Sequence, residues 1–422
     1  MNNAFLIAAT SSGSGKTTLS LGLMRHLRKK GFNVMPFKCG PDYIDPIYHK
    51  IATGKDSINL DLFMASENHV RNLFAAYGEK NDISIVEGVM GMYDGYREMD
   101  GSTADLAEKL GIPVVLLVNA ASTAYSVAAT IYGFANFKPD IRIAGVIFNR
   151  VASKSHYEYL KKACQDLNIP ALGYLKKNER LQVPSRHLGL SIESKDLIEK
   201  FVEEAEKEVE KNIDVDKLLE LTAFQGDNVE KAQKIKKGLR VAVAYDEAFN
   251  FIYPANLDGF SSDIILFSPL KDRSLPEADL IYLPGGYPEF FAELLEKNEE
   301  MKSAIKNYAE KDGKILAECG GMIYLGEEID GRKMCGVLPL SVTMENARLK
   351  LGYRKVVFPG LTLRGHEFHY STTKEIKPMP KCAHQFNVRG EKTDTPVYRY
   401  KNVIASYTHL YWGEEDIFKL WD

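Results

Sequence analysis

Gly13, Ser14, Gly15, Lys16, Thr17 and Thr18 stand between an apolar run at residues 5–9 and a helix-periodic segment at residues 19–27. That order reads as strand, phosphate loop and helix. Glycines let the backbone wrap an anion, and amide N–H groups at the helix start point at phosphate oxygens. Lys16 would neutralise the β/γ charge and the Thr17 hydroxyl would ligate Mg²⁺. A nucleoside triphosphate is the expected guest. The common pattern has Gly where Thr10 stands, and the extra Gly13 keeps the loop flexible.

Residues 31–38 read as a turn and a second strand, ending in Lys38-Cys39-Gly40-Pro41-Asp42-Tyr43-Ile44-Asp45-Pro46. Doubly wound sheets place ligands at such strand ends. Lys38 can balance a transferring phosphate. Asp42 and Asp45 can hold Mg²⁺ or orient an acceptor, in a turn stiffened by Pro41 and Pro46 with Tyr43 between them. A Pro/Asp-rich surface turn is the competing reading. Glu87 closes the apolar run at residues 83–86 and is the expected second Mg²⁺ contact, with Asp61 a weaker one. Asn119 and Asn149 end two further apolar strands, and either amide carries the donor–acceptor pair that a purine edge requires. Ser102 and Thr103 read as a helix cap as readily as a substrate contact. Arg186, in Pro184-Ser185-Arg186-His187-Leu188-Gly189-Leu190, suits a carboxylate through its bidentate fork.

A second chemistry is written around Cys319. Residues 313–325 read as a strand, a tight turn on Cys319 and a helix beginning at Gly320-Gly321. A nucleophile elbow has this geometry: the turn exposes the thiol, the helix N-terminus lowers its pKa, and the amide of Gly320 can donate to an oxyanion. Gly285 and Gly286, at the end of another apolar strand, would complete the oxyanion hole. His409 follows the apolar run at residues 403–405 and is the expected general base. His366 and His369 alone make an incomplete metal site.

To position these groups the chain needs two sheets. Strands alternate with helices from residue 5 to 174, which predicts a parallel α/β sheet with its site at the strand C-termini. Residues 193–237 turn highly charged and read as a solvated helical linker laced with i,i+4 pairs. A new α/β module starts at residue 238. The expected domains are therefore 1–192, 193–237 and 238–422. A length of 422 residues suits two modules, and a net charge of −3 with 26% charged residues offers no basic field for nucleic acid. The five cysteines are scattered without C-x-x-C spacing, which predicts neither a disulfide framework nor zinc but a reducing cytoplasm. No signal peptide or membrane-spanning run is expected.

With these residues assembled, the chain resembles the cobyrinic acid a,c-diamide synthase family. The resemblance spans nearly the whole length. It rests on the loop 12–18, on residues 38–46, on Glu87-Gly88-Val89-Met90-Gly91 and on Arg186-His187-Leu188-Gly189-Leu190. It rests equally on Leu283-Pro284-Gly285-Gly286-Tyr287-Pro288-Glu289, Ala317-Glu318-Cys319-Gly320-Gly321 and Ala405-Ser406-Tyr407-Thr408-His409. It implies a phosphate-loop doubly wound domain similar to dethiobiotin synthetase, followed by a class I-type glutamine amidotransferase domain. It also implies ATP and Mg²⁺, L-glutamine and a tetrapyrrole such as cobyrinate as partners, and two rounds of amidation through acyl phosphates. Lys38 and Asp45 would act beside the acceptor, with Asp42, Tyr43 and Arg186 facing substrate. Ordinary class I triads carry Glu two residues after the histidine, where Tyr411 stands here, so a Cys319–His409 dyad is implied. Nickel-sirohydrochlorin amidation, cobyric acid synthesis, a nucleotide switch and a stand-alone cysteine hydrolase are the competing readings, and a homodimer is left open.

Overall fold

The apolar runs of the first half are strands of one sheet. In chain order its elements are β1 (Asn2–Ala9), α1 (Lys16–Lys29), β2 (Val34–Cys39), α2 (Ile44–Thr53), β3 (Ile58–Leu60), α3 (Glu67–Gly78), β4 (Ile83–Glu87) and α4 (Thr103–Leu110). They continue with β5 (Val114–Asn119), α5 (Val127–Asn136), β6 (Ile143–Val151), α6 (Lys154–Asp166), β7 (Ala171–Lys176), α7 (Ile192–Asn212), α8 (Val215–Leu221) and β8 (Ala223–Phe224). The strand order is β3-β2-β4-β1-β5-β6-β7, every neighbouring pair parallel, with β8 antiparallel on β1. The chain leaves β1 towards one side and returns through β5 on the other, so the crevice beyond the strand ends opens at the phosphate loop. β1 is buried along Ala4 to Ala9, as a strand covered on both faces must be.

The computed structural model describes residues 2–181, 192–226, 238–260 and 264–422, and these form two compact units, the first ending at 226 and the second starting at 238 among the described residues. The charged stretch expected to be a solvated linker is a correction. Its helix α7 belongs to the first unit and buries Ile198, Phe201, Val202, Ala205 and Val209. Arg25 on α1 forks onto Glu199 (2.5 and 3.0 Å), and Glu206 takes Lys29 (2.7 Å) and His26 (3.2 Å). A Cβ on Gly22 would stand 2.7 Å from the Ala205 carbonyl oxygen, so α1 and α7 touch backbone to backbone. Its charges thus face partners on one side and water on the other.

The second unit contains β9 (Val241–Ala244), α9 (Pro254–Leu257), β10 (Ile264–Phe267), β11 (Leu280–Leu283), α10 (Ala292–Lys297), α11 (Glu299–Glu310), β12 (Ile315–Glu318) and α12 (Gly320–Leu325). After these come β13 (Glu328–Ile329), β14 (Arg332–Lys333), β15 (Leu340–Thr343), β16 (Lys350–Phe358), β17 (Leu361–His369) and β18 (Thr372–Glu375). The last are β19 (Lys381–Phe386), β20 (Val397–Tyr400), β21 (Val403–Ser406) and β22 (Thr408–Tyr411). Its main sheet has ten strands in the order β10-β9-β11-β12-β21-β20-β19-β16-β17-β22. The first five are mutually parallel and the rest antiparallel, a mixed sheet. β21 and β22 are separated by Tyr407 alone, yet one lies mid-sheet and the other at its far edge. The sheet must therefore curl, which carries His409 back over the end of β12. Core residues on one face of the parallel part include Ile281, Leu283, Met301, Ile305, Ile315 and Met322. All five cysteines are free thiols. Among the described residues, no helix is long and apolar enough to cross a membrane.

Candidate active sites

In the first unit β1 delivers the chain into the loop, where Gly13 and Gly15 take φ of 71° and 100°, values that favour glycine. A side chain on Gly15 would collide with the Asn149 amide. Asn149 Nδ2 donates to the Ser14 carbonyl (2.7 Å) and Arg150 Nη2 to that of Gly13 (3.1 Å), so the end of β6 braces the loop from outside. Lys16 opens α1 and donates to the Met90 carbonyl. Burial and the neighbouring Lys38 push its pKa down to about 8. An ammonium held with so little compensation is poised to gain from a polyanion.

Behind the loop lies a buried charge cluster. Lys38, at the end of β2, donates to Asp45 Oδ2 (2.6 Å), Glu87 Oε1 (2.9 Å) and the Gly88 carbonyl (3.3 Å). Thr17 Oγ1 donates to the same Glu87 oxygen at 2.8 Å, and His49 Nε2 lies 2.9 Å from Glu87 Oε2 with its Nδ1 on Ser57. Burial works against the Lys38 charge, but Asp45 and Glu87 hold its pKa well above the ordinary lysine value. Burial likewise works against Glu87, whose pKa Lys38 and His49 nevertheless hold well below normal. Asp45 goes the other way, pushed up by burial and by Asp42. Asp45 Oδ1 is buried with no hydrogen-bond partner among the described residues. That orphan oxygen, beside the Thr17 hydroxyl and Glu87, is a hard-oxygen set of the kind Mg²⁺ takes. Asp42 Oδ1 accepts from the amides of Ile44 (2.7 Å) and Asp45 (3.1 Å), fixing the start of α2.

Lys16, Thr17, Lys38, Asp42, Asp45 and Glu87 all line one cavity of about 870 Å³, together with Gly13, Gly15, Thr18 and Asn149. The expected triphosphate-site residues thus converge. Asn119 does not line this cavity, and its Oδ1 is taken by the Ala121 amide at 3.0 Å. Asn149 does line it, its Nδ2 donating to the Ser14 carbonyl (2.7 Å) and its Oδ1 accepting from the Arg150 amide (2.7 Å), which leaves one N–H and one lone pair of the amide beyond these two bonds. Tyr43 is buried at the start of α2, and Ser102 caps α4 through the Asp105 amide (3.1 Å). Arg186 lies outside the described residues. Sequence reasoning missed His49, although it falls one helical turn after Asp45 and so on the same face.

In the second unit Cys319 sits between β12 and α12 with φ 45° and ψ −106°, a strained backbone for a residue with a Cβ. Its amide donates to the Ser406 carbonyl (2.8 Å), and its Sγ lies 3.6 Å from the Phe368 carbonyl oxygen. The elbow is formed. Gly286 N stands 3.0 Å from where a Cβ on Gly320 would project, so these two of the three oxyanion candidates lie close together at the elbow. A Cβ on Gly285 would run into the His409 ring. His409 is fully buried on β22, directly opposite His366 of β17, and its ring packs 6.2 Å from Phe251.

The electrostatics here correct the expected lowered thiol. Burial, and next the Glu289 charge, push the Cys319 pKa well above normal. α12 spans six residues, too short for its N-terminus to outweigh that burial. Burial, then His366 and His369, bring His409 down to about 3. The resting pair is therefore neutral thiol and neutral imidazole. Glu318, overlooked in the sequence although adjacent to the nucleophile, accepts from Tyr282 Oη (2.7 Å) and from the Leu410 amide (2.9 Å). It ties the strand carrying the nucleophile to the strand carrying the base, and burial pushes it up to about 8. Tyr411 packs against Tyr253 at 5.9 Å, so no carboxylate occupies that position after His409.

Residues 5–190 match the CobQ/CobB/MinD/ParA nucleotide binding domain, and residues 240–417 match the CobB/CobQ-like glutamine amidotransferase domain. A cobyrinate a,c-diamide synthase of Caldanaerobacter subterraneus subsp. tengcongensis is 42% identical over 432 residues, covering 97% of this chain and 95% of that protein. One from Priestia megaterium is 40% identical over 98% of this chain and 94% of its own length. One from Methanocaldococcus jannaschii is 42% identical over 88% and 87%. Identity of this extent, across both domain matches and in the same order, makes the chain a member of the cobyrinate a,c-diamide synthase family.

Proposed function

We propose that the chain amidates the a- and c-acetate carboxylates of cobyrinate, using ATP for activation and glutamine as nitrogen source. The observation that carries this reading is the presence, in one chain, of a phosphate loop backed by the Lys38–Asp45–Glu87 cluster and of a formed elbow at Cys319. Neither a nucleotide switch nor a simple hydrolase needs both.

In the second unit Cys319 passes its proton to His409 as sulfur adds to the glutamine amide carbon. The carbonyl oxygen gathers charge facing the amides of Gly286 and Gly320. His409 returns the proton to the departing nitrogen, ammonia leaves and a thioester remains. Water, deprotonated by His409, then releases glutamate. A neutral pair suits this path, because the proton moves with the attack and no buried thiolate need persist at rest.

In the first unit a substrate carboxylate oxygen attacks the γ-phosphorus of ATP, ADP departs, and ammonia displaces phosphate from the acyl phosphate. Lys16 and Lys38 supply positive charge to the transferring group. Thr17, Asp45 and Glu87 would hold Mg²⁺, which when bound neutralises the β- and γ-phosphate oxygens. Two rounds give the a,c-diamide.

Mass spectrometry of products made with ATP, Mg²⁺ and glutamine, offering cobyrinate and nickel-sirohydrochlorin in parallel, tests the proposal. Expected is double amidation of cobyrinate that Cys319→Ala abolishes with glutamine and retains with added ammonia. Turnover of the nickel compound alone, or of neither, would overturn it.

A further inference from the structure

Glu289 lies in the 3₁₀ turn Pro288–Phe291 that follows Gly285-Gly286. The turn abuts the elbow: Pro288 Cδ stands 2.9 Å from where a Cβ on Gly320 would project. Glu289 Oε2 is enclosed, with no hydrogen-bond partner among the described residues. Burial pushes its pKa up to about 7; a hydrogen bond from its own backbone amide works against the rise, and the like charge of Asp330 adds to it. In turn, Glu289 is the charge that weighs most on Cys319, and it also acts on Tyr407.

An enclosed carboxylate oxygen with no donor beside a nucleophile calls for a donor that arrives with a ligand. Glutamine brings one. With its amide carbon at Cys319 Sγ, its α-ammonium is the only positive charge on the molecule, four bonds along from that carbon. We propose that Glu289 receives the α-ammonium of the glutamine substrate and so selects an α-amino acid amide over other primary amides. This rests on the glutaminase reading above. Seating the ammonium also cancels the negative charge that disfavours ionisation at Cys319, so binding and activation of the nucleophile coincide.

The test compares the full chain with Glu289→Gln on glutamine and on 4-carbamoylbutanoate, which is glutamine without its α-amino group. Loss of one partner of an enclosed charge pair predicts a rise of about 30-fold or more in the KM for glutamine, with kcat much less affected. Hydrolysis of 4-carbamoylbutanoate, which has no ammonium to lose, should not fall, so that discrimination between the two amides collapses. Alkylation of Cys319 by iodoacetamide, which carries no ammonium, reports an intact elbow and should be no slower than in the wild type, because the variant also removes the charge that disfavours ionisation at Cys319. Equal losses on both amides, or unchanged discrimination, would overturn the assignment. A wild-type chain that hydrolyses neither amide, and whose Cys319 is not labelled by 6-diazo-5-oxonorleucine, would remove the glutaminase reading and this proposal with it.

Discussion

Glu367 is 1% exposed and takes charge-assisted hydrogen bonds from Arg354 Nε (2.6 Å) and His369 Nε2 (2.9 Å), with the Thr395 hydroxyl at 2.9 Å. Burial opposes its ionisation, yet His369 and Arg354 hold it down at about 2, against an ordinary 4.5. The folded state thus binds fewer protons there than the unfolded chain does. The stabilisation is fully present above pH 4.5 and is lost as the pH falls towards 2. It is on the order of 3 kcal/mol. Glu367→Gln should therefore cost stability at pH 7, and its deficit against the wild type should shrink as urea unfolding is repeated from pH 5 down to pH 2. His409, neutral when folded, also destabilises both chains in acid, and the Glu367 charge that the variant removes acts on it after burial, His366 and His369. A deficit independent of pH would show that packing, not ionisation, makes the contribution. Glu367 and Arg354 were not legible in the sequence, because they meet across β16 and β17, and single-chain spacing does not reveal which strands pair. Lys38, Glu87 and Cys319 were legible because each stands at the end of an apolar run, where the topology of an α/β sheet collects its chemistry, and Asp45 because it lies in the turn that follows Lys38.

The helix α7 shows what charge density can hide. Ile198, Phe201, Val202, Ala205 and Val209 recur at helical spacing, so the buried stripe was present in the sequence, outnumbered by Glu and Lys on the other face. A solvated linker would tolerate small changes on α1 opposite it; the packed helix does not. Gly22→Ala gains about 1 kcal/mol of helix propensity. Against that, the new methyl would stand 2.7 Å from the Ala205 carbonyl oxygen and 2.7 Å from Val209 Cγ2, a backbone atom and a stiff β-branched side chain. Overpacking of that kind costs about 1–3 kcal/mol, and with neither neighbour free to swing away the clash prevails. The variant is expected to unfold its nucleotide unit earlier than the wild type in a urea titration read by nucleotide binding. Equal or greater stability would mean that α7 yields, and that its contact with α1 is loose.

Each half of the chain has its own sheet and its own buried interior, and the two chemistries divide along the same line. The phosphate loop, Lys38 and Glu87 belong to the first unit, and Cys319, Gly286 and His409 to the second. A ligand that binds only folded protein stabilises what it binds, by about 2.7 kcal/mol at a hundred times its dissociation constant. ATP with Mg²⁺ at that excess should therefore raise the unfolding free energy of the first unit by that amount, moving its midpoint up, and leave the second where it was. Covalent labelling of Cys319 by 6-diazo-5-oxonorleucine should do the reverse. Two transitions are needed to see this, followed by near-UV circular dichroism and by the accessibility of Cys319 to alkylation. Gly22→Ala should then move the transition that ATP moves, and Glu367→Gln the other. If one cooperative transition responded equally to both ligands, the two units would be thermodynamically a single body. The division of labour would then be chemical and not structural.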